Sequence, residues 1–551
     1  MAELADALDS GSSRSNSVEV QVLLPAPINE SEPYLPFGRR VRIYLFILSE
    51  TTYRKGGTGY PTMKGLFMEK LFDVLIIGGG AVGCAIAREL SRNELKIAVL
   101  EKEADVASGT SGRNSAVVHA GFNNKPGTLM AKLCVEGNEG FEALCEVLDV
   151  PYKKTGKLLV AFNDEQMETL ARLLKQGETN GCKGLCLVDQ EAVQKMAPNV
   201  GGIGGFSSPN TAIFDPFIYT IALAENAVAN GAEFFLGHEV TKIEKEDGIF
   251  VVTTPKGVFR TRILVNSAGV FSDKVSAMAG VDEYRIYPCR GEYLILDKIA
   301  EEYLNIPVYP APAKGIGGLG VHLTPTIHGN IIIGPNAEYI DGEEDYATEK
   351  KTLDQLFAEA QMLLPVLKRK DIIGAYTGIR SKLAPPEEGG FRDFVIKEEP
   401  TVENFINLVG IESPGMTASL PIAKRVAAMV ADKLQPKANA SFCGKRTGIL
   451  RFAEQTPEKK AELIAMDPDY GEVVCRCQQV TKKEIRQAIE NPLGVKTIAA
   501  IKYRAWPTTG RCQGGYCLTR IVEMLEKEYG VNIEEISLRG DGSELFTGRA
   551  K

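Results

Sequence analysis

The chain has 551 residues, 44% of them hydrophobic and 24% charged, with a net charge of −8. This is an ordinary globular balance, enough for about three or four domains or one large composite with a substantial core, and its negative sign gives no footprint for nucleic acid or an anionic membrane. The eleven cysteines are unevenly clustered behind no signal peptide, which points away from a secreted disulfide scaffold and towards metal ligation or redox work in a reducing, cytoplasmic compartment.

Residues 1–67 are small and polar, with acidic Glu3, Asp6 and Asp9 where a transit peptide has none. They resemble a segment that arises when an upstream transfer-RNA gene is translated by mistake. Met68 stands just before the first strand and makes a natural start, so 1–67 is expected to be a disordered extension without function. The longest apolar runs, IYLFIL at 43–48 and VLII at 74–77, are too short to span a bilayer. From Lys70 to about Ala440, buried-strand runs (DVLIIG, KIAVLEK, RILVNSAG, FINLVGI) alternate with helical stretches such as AVGCAIARELSR, the pattern of an α/β fold with a parallel sheet. Residues 441–470 are charged and helix-prone and read as a connector. Residues 471–530 place four cysteines around the helical segments TKKEIRQAIE and LTRIVEMLEKEYG, and 531–551 read as a tail. No internal repeat occurs at solenoid spacing.

In DVLIIGGGAVGCAIAREL, Gly78, Gly80 and Gly83 form G-x-G-x-x-G directly after a strand and opening a helix. The first makes a tight turn, the second admits a pyrophosphate to the backbone, and the third lets helix and strand pack closely. The helix N-terminus adds free N–H groups and a positive dipole end. A second strand ends at Glu101, 23 residues after Gly78, where a carboxylate can hold two ribose hydroxyls. Together these define a dinucleotide site; spacing alone does not choose between FAD and NAD.

Three further segments make that choice by resemblance. EADVASGTSGRNSAVVHAGF, RILVNSAGVFSD and INLVGIESPGMTASLPIAKRVA resemble motifs of the D-amino-acid-oxidase-like superfamily of FAD enzymes, over roughly residues 70–435. Within it the chain looks most like the FAD subunit of anaerobic glycerol-3-phosphate dehydrogenase and the L-2-hydroxyglutarate oxidases and dehydrogenases. PGTLMAKLCVEGN, YKKTGKLLVA, CRGEYLIL and GVHLTPTIHGNIIIGPNAE look especially like the second group. The resemblance implies a discontinuous Rossmann-like FAD-binding domain within 68–440, interleaved with a mainly antiparallel α+β substrate domain at about 150–205 and 286–370. It implies that Ser111, Arg113, Asn114 and Ser115 lie near the pyrophosphate and ring, with Val240 on the adenine side and Gly269 at a close approach. Gly410 and Gly415 then admit the flavin ring, and Met416 and Thr417 open a helix whose N–H groups face it.

Removing hydride from an alcohol also requires a base for the hydroxyl proton, and histidine is the usual choice. The chain has four histidines. His119, ending the flavin-covering loop, and His322, in the substrate sheet, are the candidates. His238 is expected in a strand under the adenine side and His328 in an exposed turn. The resembling enzymes bind anionic substrates, which implies a buried cation. Arg380 in TGIRSKL matches the superfamily's substrate arginine, although Ser381 stands where many relatives have proline; Lys382 and Arg290 are weaker candidates.

Cys475 and Cys477 are spaced C-x-C; after 34 intervening residues, Cys512 and Cys517 are spaced C-x4-C. Four thiolates in a small helical fold hold either a 2Fe-2S cluster or a tetrahedral zinc. This segment, including VTKKEI after the first pair, resembles the bacterioferritin-associated-ferredoxin-like (BFD-like) domain, which implies 2Fe-2S; C-x4-C replaces the C-x2-C of the free-standing domain. The other seven cysteines form no such set, and Cys182 and Cys186 read as packing residues. A flavin takes electrons as a pair and a cluster passes them singly. The expected activity is therefore an FAD-dependent dehydrogenase of a small anionic CH–OH compound, glycerol 3-phosphate or a 2-hydroxy acid such as L-2-hydroxyglutarate. The acceptor is a protein subunit or a quinone, in a homo- or hetero-oligomer that is cytoplasmic or peripheral to a membrane through a partner. An amine dehydrogenase and a non-catalytic electron-transfer subunit remain as alternatives.

Overall fold

The computed structural model describes residues 70–312 and 320–548; the expected extension at 1–67 lies outside the described residues. Two sheets carry most of the chain. The first has eight strands and is built around Leu71–Ile77, flanked in parallel by Gly257–Asn266 and Ile97–Glu101. Glu233–Leu236 continues it in parallel beyond Ile97–Glu101, and Phe405–Val409 adds to the far end of Gly257–Asn266. Both faces are covered, so Leu71–Ile77 is apolar from Val74 onward, with Asp73 near its start. Val74 and Ile76 enter one core, with helices Ala81–Leu90, Pro216–Ala229 and Gly415–Leu434, while Leu75 and Ile77 enter another beside Phe250, Val252 and Val275. This two-sided burial is why the strand reads as a continuous hydrophobic run.

The second sheet has nine strands drawn from two chain segments. Its longest pair joins Tyr287–Leu296 antiparallel to Ile372–Lys382, with Cys289 opposite Arg380. The sheet therefore runs past residue 370, the expected edge, and takes in the stretch that carries Arg380. The expected mainly antiparallel character is observed; Val308–Pro310 beside Lys157–Ala161 is a parallel pair.

Helices Lys482–Ile489, Ile498–Ala505 and Leu518–Lys527 form a third core around Cys475 and Cys517. Thr481 and Glu484 close a capping box on the first of them, which satisfies N–H groups the helix itself leaves free. Residues 531–548, read from sequence as a tail, are instead part of this core: Ile536 is buried in it and Ser537 O accepts from Ile498 N. Scattered apolar residues in a polar stretch are a weak signal until tertiary packing covers them, as it does Ile536, with Val531, Leu545 and Phe546 against the same core. The connector carries helix Pro457–Met466 and is tied down by Arg451, which donates to Ala505 O at 2.6 Å.

Arg504 fastens this third core to the first sheet. It donates to both carboxylate oxygens of Asp105, at 2.5 and 3.0 Å, with its side chain 1% exposed. Tyr503 stacks on Phe217 at 3.9 Å. Asp215, which caps helix Pro216–Ala229, accepts from Trp506 Nε1 at 3.2 Å and meets His328 Nε2 at 2.9 Å. His328 is thus not the exposed turn residue expected; it lies against Trp506 at a three-way junction. Arg504→Ala leaves Asp105 buried without its cation. The expected outcome is a loss of about 3–5 kcal/mol, read as a lowered midpoint in denaturant unfolding.

Candidate active site

A cavity of about 1400 Å³ lies between the two sheets. That exceeds the roughly 300–1,000 Å³ of a single-ligand pocket, and suits a dinucleotide with a substrate beside it. At one end the glycine turn opens helix Ala81–Leu90 with Gly80 as a cap that offers no side-chain bond. Gly78 has φ +108, a left-handed conformation, and a Cβ there would meet Ser267 O. Gly80 lines the cavity. Gly83 does not; a Cβ on it would collide with Gly78 O, so it serves the helix–strand contact. Ser111 Oγ accepts from Ala81 N at 2.9 Å, joining the covering loop to the helix start.

Glu101 lines the cavity while accepting from Gly79 N at 2.6 Å and Glu103 N at 2.9 Å. Burial pushes its carboxyl up, and those two N–H groups pull it back. Val240 and Gly269 line the same end, with Gly269 at φ +60. His238 lies outside the strand expected for it: the strand ends at Leu236, whose carbonyl pairs with His238 Nδ1 at 2.9 Å, and the ring joins the cavity wall.

Along the covering loop, Asn114 is spent on local structure, donating to Ser111 O at 2.7 Å and accepting from Ala116 N at 2.8 Å. Arg113 donates to Ser108 O and stacks over Tyr346 at 4.2 Å. Ser115 Oγ meets His322 Nε2 at 3.1 Å. Beyond the loop, Met416 and Gly415 line the cavity where helix Gly415–Leu434 begins without a side-chain cap. Gly410 and Thr417 stand behind that wall. Gly410, at φ +70, leaves room for Leu383, and Thr417 Oγ1 accepts from His119 N at 3.0 Å.

The other end gathers His119, His322, Arg380 and Lys382. Burial drives both histidines down, His322 to about 3 and His119 well below its ordinary value, with Lys157 adding to each. Nδ1 of His322 faces Gly320 O at 3.0 Å, so Nδ1 carries the hydrogen and Nε2 accepts from Ser115. Arg380 donates to Asn336 O at 3.1 Å and reaches Cys289 Sγ at 3.7 Å; among the described residues no carboxylate pairs with it. Lys382 is neutralised by Glu412 at 3.0 Å. Arg290, the other weak candidate, is consumed by Glu338, Asp345 and Glu349 and lies off the cavity. Sequence reading passed over Lys157, which lines this end fully buried. Its one signal is being the sole charge in the apolar run KLLVA.

The four C-terminal cysteines come together. Cys477 Sγ is 3.9 Å from Cys475 Sγ and 3.8 Å from Cys512 Sγ. Cys475 donates to Cys517, which that bond holds down to about 7, and backbone N–H groups of Tyr516 and Gly514 lower Cys512. Gly510 is required here, since a Cβ on it would collide with Cys477 Sγ. Among the described residues no three such donors converge on one point as a single ion needs. Cys475, Cys477, Cys512 and Cys517 make an all-thiol set, the donor chemistry that an iron–sulfur cluster takes.

Comparison with known proteins agrees. Residues 73–429 match the model of the FAD dependent oxidoreductase (DAO) family, and 473–527 that of the BFD-like 2Fe-2S binding domain. A glycerol 3-phosphate dehydrogenase of Caloramator mitchellensis is 39% identical over 486 residues, covering 87% of this chain and 99% of the relative. An L-2-hydroxyglutarate dehydrogenase of Indibacter alkaliphilus is 32% identical, covering 64% of this chain and 98% of its own. The FAD-bound L-α-glycerophosphate oxidase of Mycoplasma pneumoniae superposes with a TM-score of 0.64 at 29% identity, covering 68% of this chain and 98% of that one. The chain belongs to the FAD-dependent oxidoreductase family and joins that enzyme fold to a BFD-like 2Fe-2S domain.

Proposed function

We propose that the chain is a dehydrogenase of a small anionic CH–OH compound, glycerol 3-phosphate before a 2-hydroxy acid, that exports electrons through its cluster to a protein subunit or a quinone. Arg380 carries the reading: a half-buried guanidinium without a carboxylate partner among the described residues, on one cavity with His119 and His322. The higher identity and longer coverage of the glycerol 3-phosphate dehydrogenase relative put that substrate first.

The residues present fit FAD. The uncapped helix start at Ala81 would face the pyrophosphate, Glu101 the ribose, Val240 and Gly269 the adenine side. Ser111, Arg113, Asn114 and Ser115 would cover the nucleotide, and Gly410, Gly415, Met416 and Thr417 would border the ring. Bound there, the flavin supplies a hydride acceptor. Arg380 grips the anionic group of the substrate in its planar fork. His322, fixed through Gly320 and Ser115, walls the substrate end, and His119, whose N–H is held by Thr417, would stand between substrate and ring. Cys475, Cys477, Cys512 and Cys517 would hold the cluster, which carries single electrons outward. No helix among the described residues is long and apolar enough to cross a membrane, so a membrane acceptor is reached through a partner or from the surface.

Anaerobic mixing with glycerol 3-phosphate, L-2-hydroxyglutarate and a set of amino acids tests this. Glycerol 3-phosphate should bleach the flavin band, with the cluster envelope following. Bleaching by amines alone would overturn the proposal.

A further inference from the structure

In the strand Lys157–Ala161 every side chain is buried. Lys157 is 0% exposed, and its Nζ finds no hydrogen-bond partner. Two aromatic rings surround it, with Nζ 4.2 Å from the centroid of Tyr309 and 5.1 Å from that of Phe122. Those rings soften the cost of an ammonium but offer no acceptor. The imidazole of His322 lies parallel to the same Tyr309 ring at 3.9 Å. Lys157, His119 and His322 all line the inner cavity. The titratable groups facing Lys157 are His119, Cys134 on helix Leu129–Leu148, Tyr309 and His322; none of them is a carboxylate.

An amine buried without a partner is costly as an ammonium and tolerable when neutral, and the neutral form carries a basic lone pair. The histidines are less suited to take a proton. His322 has both ring nitrogens engaged, by Gly320 and Ser115, and burial leaves it at about 3. The same burial brings Lys157 from 10.5 to about 7, near the pH at which a base must both accept and release a proton.

We propose that Lys157 is a further catalytic residue, the base that takes the hydroxyl proton of the substrate. The inference rests on the CH–OH reading of the site. The O–H bond breaks with its proton passing to Nζ, the C–H pair leaves as hydride to the oxidised flavin, and a C=O bond forms.

The test compares the holoenzyme with Lys157→Met and Lys157→Arg. Methionine fills the volume and removes an unpartnered polar atom, so K157M is expected to fold. The first readout needs no turnover. A lysine whose proton affinity is lower folded than unfolded destabilises the fold most below the folded value, and less as pH rises towards the unfolded one. K157M should therefore gain more in melting temperature at about pH 6 than at about pH 9; equal gains at both would overturn the assignment. The second is anaerobic flavin reduction. The wild-type rate should rise with pH through about 7, K157M should lose that step and slow by roughly 10²- to 10⁴-fold, and a small primary amine in solution should restore part of it. Arginine keeps the charge but does not deprotonate, so K157R should be as slow as K157M. A K157R enzyme at wild-type speed, or a K157M enzyme that keeps the pH step, would refute Lys157 as the base. Failure of the CH–OH reading shows separately, as wild-type reduction by amines alone, and the unfolding comparison still decides how Lys157 ionises.

Discussion

Replacing Cys512 by serine is expected to strip iron and acid-labile sulfide from the protein while leaving the flavin bound and reducible. The four sulfurs stand close enough for one cluster, with Cys477 3.8 Å from Cys512 and 3.9 Å from Cys475. Cys475 and Cys517 are buried in the core of the small domain, whereas Cys477 and Cys512 are exposed. Cys512 is the better of the outer pair to remove. Backbone N–H groups already favour its thiolate, the form that ligates metal, and its substitution leaves the core unbroken. A serine hydroxyl stays protonated where the thiol does not. Iron per chain should fall steeply, and turnover with a one-electron acceptor should drop by roughly 100-fold or more. Anaerobic flavin reduction by substrate should be nearly unchanged, because the cavity lies on other residues. Cys443→Ser, at an exposed cysteine outside the set, is the matched control. Full iron content with undiminished turnover in the Cys512 variant would break the link between cluster and electron export.

What could be read from the sequence was what short-range geometry dictates. Gly78, Gly80, Gly83 and Glu101 are legible because a strand, a tight turn and a helix impose their spacing on neighbouring residues. The C-x-C and C-x4-C pairs are legible because sulfur ligands leave few other reasons for that pattern. Arg380 and His119 came from resemblance, and no local rule singles them out. Features that depend on distant pairing were not legible. The second sheet extends to Lys382 because Tyr287–Leu296 pairs with Ile372–Lys382, a contact across some eighty residues. His328 reads as a turn residue until Asp215 and Trp506 close on it. Asn114 sits in the expected loop but spends its amide on the loop's own backbone. Lys157 shows the limit most plainly: a lysine at a strand start reads as solvent-facing, and only packing against Tyr309 and Phe122 makes it a buried amine.

Arg380→Met is expected to raise the KM for the anionic substrate by about 100- to 1000-fold without displacing the flavin. The guanidinium projects from Ile372–Lys382 into the cavity, and its protein partners are a carbonyl, Asn336 O at 3.1 Å, and a thiol, Cys289 Sγ at 3.7 Å. Neither cancels its charge, so the charge is available to a ligand. A charge-assisted hydrogen bond contributes about 1.5–3 kcal/mol, and two in a fork at the lower end of that span, about 3–4 kcal/mol together, give the expected factor. The pair Lys382–Glu412 nearby is already neutral and cannot substitute. Arg380→Lys keeps the charge and loses the planar fork, so it should fall between wild type and R380M, with a loss of roughly tenfold. Because methionine removes a half-buried cation without opening a large void, thermal stability should hold, and the flavin spectrum should be unaltered. The measurement is the substrate dependence of anaerobic flavin reduction, set beside the dissociation constant of a non-oxidisable anionic analogue. An unchanged KM and analogue affinity, with only the limiting rate reduced, would mean that Arg380 acts on the reacting carbon or the flavin. The anionic group would then have to be held by another cation of the cavity.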